Sequence, residues 1–155
     1  MNIALFPGSF DPITIGHESI VRRSVELFDK IIIAIGYNSD KKEFFKLNDR
    51  IQWIEKVFDD EPKVEVKTYT GLTINYCKEI GAGFILRGLR TSADFEYERA
   101  IAQMNKAMNE GVETMFLLTK PEHTHVNSTI VREVIRHGGD ASMFLPEKLK
   151  NIITK

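Results

Sequence analysis

The sequence is short of several things, and each shortage excludes a class of protein. Cys77 is the one cysteine in 155 residues. No intrachain disulfide framework and no cysteine-built zinc site is therefore available. Within Ile74-Asn75-Tyr76-Cys77 a lone thiol reads as a small buried hydrophobe. No apolar run approaches the roughly 20 residues of a membrane span, and Met1-Asn2-Ile3 has no basic lead-in of a secretory signal. A soluble, cytoplasmic chain is expected. Net charge is lacking too: 21 Lys+Arg stand against 22 Asp+Glu, a balance of −1. Such a chain has no overall field to hold a nucleic acid or an anionic membrane. Any anion it binds must be gripped by a few placed cations. Repeats, low-complexity tracts and Pro/Gly/Ser linkers are absent, and the length suits one domain spanning 1–155. The common signatures are missing as well. There is no G-x-x-x-x-G-K-[ST], no G-x-G-x-x-G after the first strand, no H-E-x-x-H and no G-x-S-x-G.

What is present is an alternation. Short apolar runs at Asn2–Phe6, Lys30–Ile35, Val64–Thr68, Phe84–Leu86 and Thr114–Leu118 predict strands. Between and after them lie helical patterns: His17–Phe28, Asn48–Phe58 with Asn48 as cap, Thr73–Ile80 stopped by Gly81, Asp94–Asn109, Ser128–His137 and Pro146–Ile153. The longest carries Tyr97, Ile101, Met104 and Met108 on one face. Continuous apolar strands alternating with amphipathic helices predict an α/β fold: a doubly wound, five-stranded parallel sheet covered on both faces. Such sheets bind ligands beyond the carboxyl ends of their strands, where strand order switches.

Three clusters fall at those ends. The first strand runs into Gly8-Ser9-Phe10-Asp11-Pro12-Ile13-Thr14-Ile15-Gly16-His17. Gly8 allows a sharp turn, Gly16 allows close backbone approach, and His17 falls in the first turn of a helix whose amides attract anions. Arg87-Gly88-Leu89-Arg90 puts two guanidinium forks at the fourth strand's end. In Asn127-Ser128-Thr129 the hydroxyls either cap a helix or, with its free amides, cradle phosphate. By themselves Lys41-Lys42 and Glu98 read as solvated surface charges. His123-x-His125 without a third ligand reads as loop rather than metal site, so no metal-ligating residue is expected.

Taken in order, these segments resemble the nucleotidyltransferase superfamily with an (H/T)-x-G-H motif, here Thr14-Ile15-Gly16-His17. Asn38-Ser39-Asp40-Lys41-Lys42, Arg87-Gly88-Leu89-Arg90 with Asp94-Phe95-Glu96-Tyr97-Glu98, Asn127-Ser128-Thr129, and Gly139-Asp140 with Phe144-Leu145-Pro146 resemble the bacterial phosphopantetheine adenylyltransferases. The resemblance covers nearly the whole chain and implies a Rossmann-like nucleotidyltransferase fold. It implies transfer of AMP from ATP to 4′-phosphopantetheine, with Mg²⁺ on the phosphates and a homo-hexameric assembly. By matching position, the ATP site comprises Ser9, Phe10, His17, Gly88, Leu89, Arg90, Glu98 and the stretch His123, Thr124, His125, Val126, Asn127, Ser128 and Thr129. His17 is the catalytic residue. Ser9, Lys41, Thr73 and Arg87 face phosphopantetheine. Ser9 replaces a common Thr and keeps its hydroxyl, whereas Asn127 replaces the usual Ser with an amide. The competing readings are a sister adenylyl- or cytidylyltransferase and a nucleotide-sensing module without turnover. The span from Arg87 to Glu98 weighs against the first, and His17 with both arginines against the second. A class I aminoacyl-tRNA synthetase would need more chain than 155 residues.

Overall fold

The computed structural model describes residues 1–38, 40 and 42–153. Five parallel strands form one sheet: β1 (Ile3–Gly8), β2 (Lys30–Gly36), β3 (Val64–Tyr69), β4 (Phe84–Leu89) and β5 (Glu113–Leu118), in the order β3-β2-β1-β4-β5. Helices α1 (Ile15–Ser24), α2 (Leu47–Val57), α3 (Thr73–Ile80), α4 (Ser92–Met108) and α5 (Ser128–Arg136) follow the strands in turn, and α6 (Lys150–Ile153) lies near the end.

The two-residue period of a strand sends neighbouring side chains to opposite faces. Ala4, Phe6, Ile31, Ile33, Ile35 and Leu86 accordingly join one cluster with Ile20 and Val21 of α1, Ile54 and Val57 of α2, and Val131 of α5. Leu5, Ile32, Ala34 and Ile85 join another with Ile74, Tyr76 and Cys77 of α3. Burial on both faces is why the strands read as unbroken apolar runs. Cys77 is fully buried, and burial pushes its thiol up to about 11, so it stays protonated and inert.

Several boundaries differ from the sequence reading. β1 continues through Pro7-Gly8 and β4 through Arg87-Gly88-Leu89, because pairing with β2 (Gly8 opposite Ile35) and β5 (Leu89 opposite Leu118) carries the backbone onward. Helix α1 stops at Ser24, whose hydroxyl donates to the Ile20 carbonyl at 2.7 Å, yet Val25 and Phe28 remain buried beyond it. Asn48 caps nothing. Helix α2 begins one residue earlier with Lys46 at its N-cap position, and Asn48 is already helical. The expected Pro146–Ile153 helix divides into a 3₁₀ turn at Glu147–Leu149 followed by α6.

Helix α4 differs from the others. None of its residues is buried, and the face that carries its apolar stripe is open: Tyr97 is 70% exposed, Met104 66% and Met108 52%.

Where the strand order switches, the sheet parts. β1 pairs with β4 only at Ala4 opposite Phe84 and Leu5 opposite Ile85, whereas β2 and β5 stay paired with β1 and β4 out to the strand ends. Pro7 has no N–H to donate to a ladder. The gap so formed faces the carboxyl ends of both central strands.

Candidate active site

Two clefts open from that gap and share one wall, made of Pro7, Gly8, Ser9, Arg87 and Glu98. The first cleft runs toward the ends of β2 and β3, past Asn38, Lys42, Tyr69 and Thr73, with Asn105 of α4 beside them. The second runs past Phe10, Thr14, Gly16 and His17, with Gly88 and Arg90 beyond β4, and ends at Val126, Asn127 and Ser128 before α5.

The first loop is held by its carbonyls. Those of Pro7, Ser9 and Asp11 accept from Arg87 Nη1, Arg50 Nη1 and Arg132 Nη1, each at 2.7 Å; that of Pro12 accepts from Ser128 Oγ at 2.8 Å. Three of the four donors are cationic, so the negative ends of these peptide dipoles are neutralised. Asp11 fastens the neighbouring loop: its carboxylate accepts the amides of Phe44 and Phe45, both at 2.9 Å. Phe10 sits at φ 45°, a left-handed conformation that costs a bulky residue strain. Its buried ring packs edge-on against His17, with centroids 5.1 Å apart. A Cβ on Gly8 would stand 3.0 Å from that ring, so a side chain there would require the ring to give way by a few tenths of an ångström. Gly16 answers to no such demand from the protein: a Cβ would meet only Thr14 Oγ1, at 3.5 Å, and the space beside it belongs to the cleft.

His17 completes a capping box. Thr14 Oγ1 receives the His17 N–H at 3.4 Å, and His17 Nδ1 receives the Thr14 N–H at 3.0 Å. An accepting Nδ1 carries no proton, which assigns the ring proton to Nε2. Burial, reinforced by Arg87 and Arg90, lowers the ring's pKa to about 4. At neutral pH this is a neutral ring with one N–H to give. The folded state binds a proton here less readily than an unfolded chain with the ordinary value of 6.5. Stability from this group is therefore complete above about 6.5 and is withdrawn as pH falls from there toward 4. Nitrogen-15 NMR is expected to show the Nε2–H tautomer titrating near pH 4; a midpoint near 6.5 would overturn the assignment.

Arg87 grips Glu98 with two bonds, Nε to Oε2 at 2.9 Å and Nη2 to Oε1 at 2.6 Å. Arg90 holds Asp94 more loosely, at 3.1 and 3.3 Å, on a more exposed surface. Of the residues singled out from sequence, Ser9, Arg87 and Glu98 thus face both clefts. Thr73 faces the first; Phe10, His17, Gly88, Arg90, Val126, Asn127 and Ser128 face the second. Lys41 lies outside the described residues; its neighbour Lys42 lines the first cleft. Leu89 is buried and lines neither cleft. His123, Thr124, His125 and Thr129 stand apart from both. His123 lines a separate surface hollow with Ser19, and Thr124 Oγ1 donates to the Lys120 carbonyl. His125 packs on Phe144, and Thr129 Oγ1 accepts from Arg132. Asn127 caps α5 through Oδ1, which accepts the Ile130 N–H at 2.9 Å.

Arg50 escaped the sequence reading although a signal was present. It falls on the same helical face as Ile54 and Val57, where a charge needs an explanation. The side chain is only 4% exposed and also binds the Phe45 carbonyl and Glu43.

With this geometry in view, the relatives of the chain are informative. The model of the family described as cytidylyltransferase-like matches residues 5–134. A phosphopantetheine adenylyltransferase of Flavobacterium psychrophilum is 55% identical, over 97% of this chain and 99% of its own. That of Cytophaga hutchinsonii is 50% identical, over 95% and 98%. The chain belongs to the phosphopantetheine adenylyltransferases of the cytidylyltransferase-like family. Among solved structures, a candidate nicotinate-nucleotide adenylyltransferase from Vibrio parahaemolyticus superposes over all of both chains with a TM-score of 0.75 at 19% identity. At that identity the likeness concerns the fold, and it agrees with the Rossmann-like nucleotidyltransferase topology. The shared wall, with Ser9 and Arg87 in it, stands between the two clefts.

Proposed function

We propose that this chain transfers AMP from ATP to 4′-phosphopantetheine, giving dephospho-coenzyme A and pyrophosphate, as an adenylyltransferase of coenzyme A biosynthesis. The observation that carries the reading is the pair of clefts meeting at Ser9 and Arg87, in a chain so similar to phosphopantetheine adenylyltransferases. The first cleft takes phosphopantetheine, its phosphate toward Arg87, Lys42 and Lys41. The second takes ATP, its phosphates toward the Ser9-Phe10 amides, His17, Arg90 and the start of α5.

An oxygen of the substrate phosphate attacks the α-phosphorus as the bond to the β-phosphate bridge breaks, and pyrophosphate leaves. A phosphate is already a nucleophile, so no serine, cysteine or general base is needed. The residues act by alignment and electrostatic stabilisation. With the loop carbonyls bound to Arg50, Arg87, Arg132 and Ser128, what the loop offers the phosphates is its N–H side. The neutral Nε2–H of His17 is the donor for the α-phosphoryl oxygens as they gain charge.

Mg²⁺ fits this donor set only as a substrate-borne ion. Among the described residues no group of three His, Cys, Asp or Glu is placed to hold a metal, and the acids lining the clefts are engaged: Glu98 by Arg87, Asp94 by Arg90, Glu43 by Arg50 and Asp11 by the Phe44 and Phe45 amides. The ion would keep waters and phosphate oxygens as ligands and neutralise phosphate charge.

In the same reading residues 1–155 act as one nucleotidyltransferase domain in the cytoplasm, where ATP is made available. Among the described residues no helix is long and apolar enough to cross a membrane. The open face of α4, with Leu118 71% exposed at the end of β5, supports a homo-oligomer; the hexamer rests on the resemblance alone. Light scattering at micromolar concentration is expected to give a mass near six chains, and a monomer would overturn this part. The test of function is pyrophosphate release from ATP with phosphopantetheine, nicotinamide mononucleotide or phosphocholine offered in turn. Only the first should support turnover; faster release with nicotinamide mononucleotide would reassign the enzyme.

A further inference from the structure

Arg50 is a charge on the buried face of α2, beside Ile54 and Val57. A buried ion pair is weak evidence for stability, since apolar residues of similar volume often serve a core as well or better. The placing of its bonds points to another use. Nη1 donates to the Ser9 carbonyl at 2.7 Å, Nε donates to the Phe45 carbonyl at 3.1 Å, and Nη2 pairs with Glu43. Ser9 belongs to the wall shared by both clefts, whereas Glu43 and Phe45 follow Lys42 in the segment that borders the first. Asp11 ties the same two segments in the opposite sense, its carboxylate accepting the Phe44 and Phe45 amides.

We infer that Arg50 is a positioning residue: one guanidinium fixes both the Ser9–Phe10 peptide and the segment after Lys42, and so holds the ATP-facing and phosphopantetheine-facing groups in register. In a trans peptide the C=O and N–H point opposite ways. With the Ser9 carbonyl drawn to Arg50, the Phe10 N–H of the same peptide points away from the guanidinium. Among the described residues that N–H has no hydrogen-bond partner, although Phe10 is only 3% exposed. Amides of buried residues are seldom left so, and the second cleft, which Phe10 lines, is where a phosphate oxygen would meet it. The φ of 45° at Phe10 is the strain that this peptide orientation carries. Such strain persists only where the surroundings over-determine it, and the bond from Arg50 is one of those restraints. Arg50 lines the first cleft and not the second, so its effect on ATP travels through the peptide rather than by contact. The inference rests on the substrate reading above and adds to it a residue that couples the two binding segments.

The experiment joins NMR on the full chain, labelled with nitrogen-15 phenylalanine, to steady-state kinetics and melting curves on the same preparations. In wild type, ATP with Mg²⁺ and no second substrate should move the Phe10 amide proton downfield, the mark of a bond to a charged oxygen. In Arg50→Lys, which keeps the charge and loses the fork, that movement should shrink. kcat should fall on the order of 100-fold in Arg50→Met, the scale on which misplacement by an ångström acts, and by less in Arg50→Lys. KM for either substrate should change less than kcat. A Phe10 amide that ATP leaves in place in wild type overturns the proposal, even if Arg50→Met does not fold. An amide that moves equally in wild type and Arg50→Lys overturns it too, as does a lowered melting temperature at normal kcat, which makes Arg50 a structural contact. If wild type fails to turn over phosphopantetheine while ATP still moves the Phe10 amide and Arg50→Lys weakens that movement, the substrate reading falls and the hold of Arg50 on the peptide stands.

Discussion

His17→Ala is expected to lose about 10²–10³ in kcat, the usual consequence of removing one preorganised donor from a charge-developing site, with KM for ATP little changed. The asymmetry follows from where the bond is made. The α-phosphoryl oxygens gain charge only on the way to the transition state, so a donor aimed at them stabilises that state and hardly touches the bound substrate. The structure adds a second consequence. Nδ1 accepts the Thr14 amide, so alanine also removes half of a capping box. That costs about 1 kcal/mol and should lower the melting temperature by roughly 2–4 °C in a chain of this size. His17→Gln separates the two effects. Its side-chain carbonyl can take the Thr14 N–H, as in the ordinary capping box, but it lacks the ring that brings a donor to the Nε2 position. It should regain the melting temperature and stay slow. A near-normal kcat in the alanine variant removes His17 from the chemistry, and full recovery of rate in the glutamine variant assigns it to the cap alone.

Arg87→Ala should weaken phosphopantetheine binding by a charge-assisted hydrogen bond, about 1.5–3 kcal/mol or on the order of 10- to 150-fold. Arg87 is the cation common to both clefts, and its geometry is already set without substrate. Nε and Nη2 are committed to Glu98, and Nη1 to the Pro7 carbonyl at the point where β1 and β4 part. Alanine strands the Glu98 carboxylate, whose side chain is only 12% exposed, beside incoming phosphates. Arg87→Lys keeps the charge but loses the fork, so it should fall between wild type and alanine. Arg90→Ala should act mainly on ATP, since Arg90 lines the second cleft and not the first. Calorimetry with each substrate separately checks the division, and unchanged phosphopantetheine affinity in Arg87→Ala contradicts it. Stability offers a second check. Removing Glu98 as well should restore part of what Arg87→Ala loses, because residues in contact are not additive.

Most of the candidate site was legible because it lies in contiguous motifs at strand ends. Gly8 to His17 needed only the rule that parallel sheets bind ligands at their carboxyl ends, and Gly88 and Arg90 needed little more. What stayed hidden was the support. Arg50 stands 41 residues from Ser9 and Arg132 stands 121 from Asp11, yet each holds a carbonyl of the same loop. The pairing of Arg87 with Glu98 was invisible for a related reason. The two residues were read as facing different substrates, and only the packing of α4 against β4 and β5 turns one toward the other. Sequence alone placed His17 in the first turn of a helix without showing what its ring does there. In the folded chain the ring completes a capping box, and that cap fixes the tautomer on which the proposed donor role depends.

Periodicity and order by themselves determined the strands, the helices that cover them, the inert Cys77 and the end of the sheet at which to look. Those features depend on local backbone geometry and on the burial of near neighbours, which a linear pattern records. Tertiary structure alone decided that β1 and β4 part after two paired residues, that the gap makes two clefts with one wall, and that the apolar stripe of α4 faces outward. A helical stripe of Tyr97, Ile101, Met104 and Met108 has the same period whether it covers a sheet or another subunit. The identity of the surface it meets is long-range information, which the spacing of residues along one chain does not carry.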